Sequence, residues 1–225
     1  MSDCYRLHQQ FYVSVDCIIF GLVDGRLNVL LTKRNFEPER GKWSLMGGFV
    51  RAEESLDDAA SRVLLELTGL RNTFMRQVKA FGDIGRDPGA RVISVAYYAL
   101  LTPDMIDVET LRAHSACWCV INDLPTLGFD HTDMIAKARA QLCRRISTEP
   151  FAFRLLPEKF TLTQLQTLYE LIFDEKFDKR NFRKRAAENP CIRSTGIIDK
   201  SRSRRGAMLY EFDEEAFRQS GKFKI

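Results

Sequence analysis

Apolar and polar positions alternate from Phe11 to Phe20, where Val13, Val15, Cys17 and Ile19 interleave with Ser14, Asp16 and Ile18. That period of two is the signature of a β-strand. Asp24-Gly25 is a tight-turn pair, so the strand is expected to fold back on Leu27–Thr32 as a hairpin. Phe36–Lys42 reads as a polar loop, and Trp43–Val50 leads into a helix. From Ser55 the period changes. Leu56, Ala59, Ala60, Val63, Leu64 and Leu67 recur at spacings of three and four, placing one apolar stripe on a helix. Ser55 suits its N-cap and Gly69 its end. Val78–Ile84, Val92–Leu101 and Ser115–Ile121 read as further strands, and Asp133–Arg145 as a helix after the turn at Phe129–Thr132. Residues 11–125 therefore predict a mixed sheet with one central helix.

The pattern shifts after Pro150. Phe151–Pro157 connects, and Thr161–Phe173 is amphipathic, with Leu162, Leu165, Leu168, Tyr169 and Ile172 on one face. Asp178 caps a second helix, Lys179–Glu188, that turns Phe182 and Ala186 inward. Two strands, Ile192–Asp199 and Ala207–Phe212, then flank a basic turn, Lys200–Gly206. Two helices followed by a ribbon with a basic tip predict a winged helix-turn-helix. The expected division is residues 1–150 and 151–225.

Charge sharpens that division. Residues 151–225 hold 16 Lys and Arg against 11 Asp and Glu, and within Lys176–Arg205 the count is 11 against 3. The rest of the chain is near neutral, so the basic stretch is the footprint expected for a polyanion such as double-stranded DNA. On the second helix, Lys179, Arg180, Asn181, Arg183 and Lys184 are candidates for groove contact; Asn suits adenine and Arg guanine. Arg202, Arg204 and Arg205 at the wing tip suit phosphate or a minor groove, and Thr161 and Thr163 suit phosphate contacts at a helix start.

The remaining composition excludes more than it adds. No apolar run approaches the ~20 residues of a membrane span, and Met1–Gln10 lacks the apolar core of a secretion signal, so a cytoplasmic protein is expected. Six scattered cysteines with no C-x-x-C pair, and three histidines, suggest reduced thiols rather than a metal site.

The spacing from Gly48 to Leu70 resembles the Nudix box, G-x5-E-x7-R-E-U-x-E-E-x-G-U, where U is aliphatic. Gly48, Glu54, Arg62, Leu64, Glu66, Gly69 and Leu70 match it. Val63 and Leu67 stand where the box has glutamates. The resemblance implies an α/β/α Nudix sandwich, and the two substitutions imply lost hydrolase chemistry. Magnesium needs several hard oxygen ligands, which valine and leucine do not supply. No cofactor, metal or catalytic residue is expected.

The full arrangement, with Leu124–His131, Phe160–Glu170 and Lys179–Arg183, is similar to the Nudix-related transcriptional regulators, in which a Nudix-like sensor precedes a winged helix. Cys17–Gly21 and Trp43–Val50 look closest to the sugar-responsive branch, whose members include an arabinose-responsive regulator. That resemblance implies a homodimeric repressor of carbohydrate utilisation genes, released from its operator by a pentose. Candidate effector contacts are Asp16, Arg34, Trp43, Ser44, Gly47 and Glu66 around the cleft, and Arg86 and Asp87 in the loop that follows. Asp16, Trp43 and Glu66 also have structural readings, Glu66 as a partner for Arg62 one turn away. His131 reads as a structural residue of the linker turn. The small number of cations near the cleft favours a neutral sugar. An ADP-ribose sensor of NAD metabolism and an active Nudix hydrolase are the alternatives.

Overall fold

The computed structural model describes residues 8–71, 73–201, 204–221 and 223. The chain forms two compact units: one runs to Ala138 without the segment Asp24–Leu27, and the other joins that segment to the residues from Arg139 onward.

The first unit is built on strand β1 (Tyr12–Val23). Its residues Ser14–Gly21 are all buried, so the strand is covered on both faces. β2 (Arg26–Lys33) returns through Asp24-Gly25, both at positive φ (49° and 69°). Those are the angles a two-residue type I′ hairpin requires. β6 (Val92–Leu101) lies parallel to β1, and β5 (Met75–Phe81) lies antiparallel to β6. β7 (Ala116–Val120) pairs with β2. The expected mixed sheet is thus present.

One expectation is corrected at the approach to the helix. Trp43–Val50, read as the lead into the helix, is mostly strand. β3 (Trp43–Ser44) pairs with β2, and β4 (Met46–Phe49) pairs antiparallel with β1, Asp16 facing Gly47. These strands are two and four residues long, too short to carry an alternation of their own; their partners define them.

Helix α1 (Leu56–Thr68) follows. The Ser55 hydroxyl accepts from the Asp58 amide while the Asp58 carboxylate accepts from the Ser55 amide, a closed capping box, and Gly69 ends the helix at φ 75°. Ala59, Ala60 and Val63 pack on Val15, Cys17, Val95 and Tyr97, and Leu64 packs on Ile19, Leu30 and Met46. Each large apolar side chain buried this way contributes about 1.5–3 kcal/mol. The short helix α2 (Val108–Ala113) precedes β7 and carries no continuous apolar stripe to announce it. Helix α3 (His131–Ile146) contains the boundary between the units.

In the second unit, α4 (Leu162–Phe173) is capped by Thr161 and Gln164, and α5 (Lys179–Glu188) by Asp178. A three-stranded sheet, β8 (Phe160–Thr161), β10 (Ala207–Phe212) and β9 (Ile192–Asp199), completes a winged helix, and α6 (Glu214–Ser220) follows it. Phe182 of α5 meets Tyr169 at 5.5 Å and Phe177 at 6.0 Å between ring centroids. Tyr169 donates its hydroxyl to the Ile146 carbonyl at 2.9 Å. No helix among the described residues is long and apolar enough to cross a membrane.

Candidate functional site

A cavity of about 510 Å³ opens in the first unit. Six of the eight effector candidates line it: Asp16, Arg34, Ser44, Gly47, Arg86 and Asp87. Trp43 and Glu66 do not. Trp43 is half-buried in β3, with its carbonyl accepting from the Gly128 amide at 2.8 Å. Glu66 lies on the outer side of α1, its side chain 52% exposed, 3.4 Å from both Arg62 and Arg51. The spacing of four between Arg62 and Glu66 puts them on one helix face and produces that pair.

Asp16 sits at the centre of the wall. Its register partner is Gly47, and a Cβ on Gly47 would collide with the Asp16 carboxylate. The glycine is required there because the carboxylate lies over its Cα. Ser94 donates to Asp16 Oδ2 at 2.5 Å, His131 Nε2 lies 3.6 Å from Oδ1, and Arg86 Nη2 lies 3.7 Å from Oδ2. Arg86 is held chiefly by Asp130: its Nε donates to Oδ2 at 2.9 Å and its Nη2 to Oδ1 at 2.7 Å, with only 4% of its side chain exposed. Desolvation lowers the pKa of this guanidinium, but the hydrogen bonds to Asp130 and the charges of Asp130, Asp16 and Asp87 outweigh it and leave the net value raised.

His131 is a cavity residue that the sequence suggested only as structural; the structure gives it both places. Its Nδ1 accepts from the Leu45 amide at 3.0 Å, so the proton resides on Nε2, toward Asp16. Burial holds its pKa below the ordinary imidazole value, against the pull of Asp16 and Asp130. The ring is therefore neutral near pH 7.

The opposite rim is aromatic and cationic. Arg34 stacks over Phe36 at 4.4 Å and Phe129 at 4.9 Å, and its Nε donates to the Pro38 carbonyl at 2.8 Å. Burial lowers its pKa, with Asp87 and Asp16 opposing, and an arginine remains charged. Lys33, Phe36, Phe49 and Phe129 also line the cavity. The sequence gives no sign of these aromatics: Phe36 and Phe129 are single residues in loops and Phe49 ends a four-residue strand, so none belongs to a repeating period.

The box helix presents few metal ligands to this space. Arg62 grips Glu54 through Nε at 2.8 Å and Nη2 at 2.6 Å. Those bonds hold the Glu54 pKa down at about 2. Val63 is buried in the core and Leu67 is half-buried at the cavity edge. Among the described residues, no group of three or more His, Cys, Asp and Glu is placed to hold a metal ion.

In the second unit, Lys179, Arg180, Asn181, Arg183 and Lys184 are all exposed on α5, while Phe182 and Ala186 face inward. The Asp178 cap accepts from the Asn181 backbone amide at 2.8 Å, which leaves the Asn181 side chain on the outer surface. Three candidates, Thr161, Thr163 and Arg183, are already engaged. The Thr161 hydroxyl is part of the α4 cap, at 3.0 Å from Gln164 Oε1, and Thr163 accepts from Arg183 Nη2 at 2.9 Å. Arg204 and Arg205 are exposed beside the wing turn; Arg202 lies outside the described residues.

A Nudix sandwich with a cavity and an altered box, followed by a basic winged helix, defines the class: a Nudix domain joined to a winged-helix DNA-binding domain. Residues 11–138 match the NUDIX domain and residues 152–212 the NrtR DNA-binding winged helix domain. The chain is 33% identical over 204 residues to the ADPR responsive transcriptional repressor NtrR of Acinetobacter baylyi, a match covering 89% of this chain and 81% of that protein. It is similar to the crystal structure of Shewanella oneidensis NrtR complexed with a 27mer DNA (TM-score 0.80, 28% identity, 94% of this chain and 97% of that one). It is also similar to the NUDIX domain of that NrtR complexed with ADP ribose (TM-score 0.52, 27% identity, 63% and 99%). The chain belongs to the NrtR family of Nudix-domain transcriptional regulators. These relatives give no support to the sugar-responsive branch suggested by Cys17–Gly21 and Trp43–Val50. Those stretches form β1 and the β3–β4 edge, which any Nudix sheet needs, and so do not separate one branch from another.

Proposed function

We infer that this protein is a DNA-binding repressor whose effector is ADP-ribose, bound without hydrolysis in the Nudix cavity. The observation that carries the reading is one cavity of about 510 Å³ whose walls offer both charge signs and aromatic faces. A single pentose fills only a fraction of that space. A dinucleotide-sized ligand fits the volume range of ordinary ligand sites. Arg34 and Lys33 supply positive charge for a diphosphate, Asp16 and Asp87 supply acceptors for ribose hydroxyls, and Phe36, Phe49 and Phe129 supply faces for a base. The small number of cations near the cleft was the argument for a neutral sugar; three cations, Lys33 at the end of β2, Arg34 just after it and Arg86 from the far loop, line one cavity and are enough to meet a diphosphate. With valine and leucine at two glutamate positions, the ligand is expected to leave intact.

The winged helix, residues 151–225 on our division, is the operator-binding part. Lys179, Arg180, Asn181 and Lys184 face the groove and Arg204 and Arg205 the flanking backbone, in a homodimer that reads two half-sites. The test is binding of the full-length protein to its own upstream DNA, titrated in parallel with ADP-ribose and with L-arabinose. Release by ADP-ribose alone, with the nucleotide recovered unchanged by mass spectrometry in the presence of magnesium, supports the reading. Release by the pentose, or conversion of ADP-ribose to AMP and ribose phosphate, overturns it.

A further inference from the structure

The start of α3 is tied to the cavity at two points. His131, its first residue, is fixed by the Leu45 amide, which belongs to the segment between β3 and β4. Asp130, immediately before the helix, is held by both Nε and Nη2 of Arg86, from the loop between β5 and β6. That loop is stitched to itself: Gly89 donates to the Asp87 carboxylate at 2.7 Å and Arg91 to the Asp83 carbonyl at 3.2 Å. α3 is also the helix within which the chain passes from the first unit to the second.

The tie shares its cation. Asp16 and Asp130 both draw on the buried Arg86 guanidinium, Arg34 is a second cation acting on Asp16, and His131 is neutral; the ligand of the adjoining cavity, on the reading above, is a diphosphate. A phosphate reaching this end meets two carboxylates and one guanidinium that they already occupy. The guanidinium has donors in a planar fork, and phosphate competes for that fork as well as carboxylate does.

We propose that Arg86 is the positioning residue of the switch: it holds Asp130, and with it the first turn of α3, until an anionic effector draws the guanidinium into the cavity and releases Asp130. Once free, Asp130 stands where a carboxylate caps a helix, so the first turn has a second stable arrangement available. The proposal rests on the ADP-ribose reading for the identity of the effector, but not for the tie itself.

Asp130→Asn keeps the side-chain shape and removes the charge that holds Arg86. Arg86→Lys keeps a charge and removes the two-pronged grip. Both are studied as full-length proteins, with thermal melting to establish that they fold. Three quantities are measured: DNA affinity without ligand, DNA affinity with saturating ADP-ribose, and amide exchange over residues 131–138. In each variant we expect ligand-free DNA affinity to change tenfold or more toward the effector-bound value, exchange at 131–138 to quicken, and the response to ADP-ribose to shrink below threefold. The double variant is expected to match the singles, since both break one tie. Wild-type affinity and wild-type exchange in both variants, or additive effects in the double variant, overturn the proposal. A wild-type protein that ignores ADP-ribose overturns the effector reading instead, and the ligand-free measurements still decide whether the tie acts.

Discussion

Asp16 and Gly47 show how closely the cavity wall is fitted residue by residue. They face each other across β1 and β4, and the space a methyl group would need on Gly47 is filled by the carboxylate. Gly47→Ala is expected to destabilise the fold by about 1–3 kcal/mol through overpacking and to weaken effector binding at least tenfold, as calorimetric titration and thermal melting would show. A second prediction concerns pH. Glu54 has its pKa depressed to about 2 by Arg62, below the ~4.3 of a free glutamate. Its contribution to stability is therefore present above about pH 4.3 and is lost as the pH falls toward 2. Glu54→Gln should flatten the acid limb of the stability profile over that window, as measured by urea midpoints from pH 2 to 6. On the DNA side, Asn181→Ala should cost about 1–3 kcal/mol and relax discrimination at one base pair, whereas Lys179→Ala should weaken binding to all sequences and lower the salt slope by about one.

At the scale of elements, the capped helices carry the most legible signals. The Ser55–Asp58 box and the Gly69 stop lie at the ends the apolar spacing indicated for α1. Ser55→Ala should lower stability by about 1 kcal/mol with no change in ligand affinity, a separation that melting and titration together can resolve. α1, α4 and α5 were readable because each is long enough for its period to repeat, and β6 because it is a long run of β-branched, aromatic and aliphatic residues. β3, β4, α2 and α6 were not, because elements this short owe their form to what they pair with. The cavity was partly legible for the same reason. Asp16 stood out as a charge inside an apolar strand, and Arg86 and Asp87 as charges in a Pro/Gly-containing loop. The pairing of Arg86 with Asp130 joins residues 44 apart in the chain, and nothing local in the sequence encodes it. The aromatic lining by Phe36 and Phe129 depends on where Arg34 points, which is likewise a tertiary fact.

For the molecule as a whole, an effector that acts on operator binding, as proposed, makes the two ligands thermodynamically linked. If ADP-ribose lowers operator affinity by some factor, operator DNA must lower ADP-ribose affinity by the same factor. Equilibrium titrations run both ways on the full-length protein check this reciprocity, and unequal factors would show that the system is not at equilibrium, as when the ligand is hydrolysed during the titration. On that reading Val63 and Leu67 have a meaning beyond the absence of two carboxylates. An enzyme on this scaffold would consume its ligand, so its occupancy would follow the balance of supply and turnover. If ADP-ribose departs intact, as proposed, occupancy depends only on the standing concentration. Each binding event can be undone without loss, and the protein reports a level rather than a flux. Two aliphatic side chains on one helix would thus mark the difference between a machine that spends its signal and a gauge that reads it.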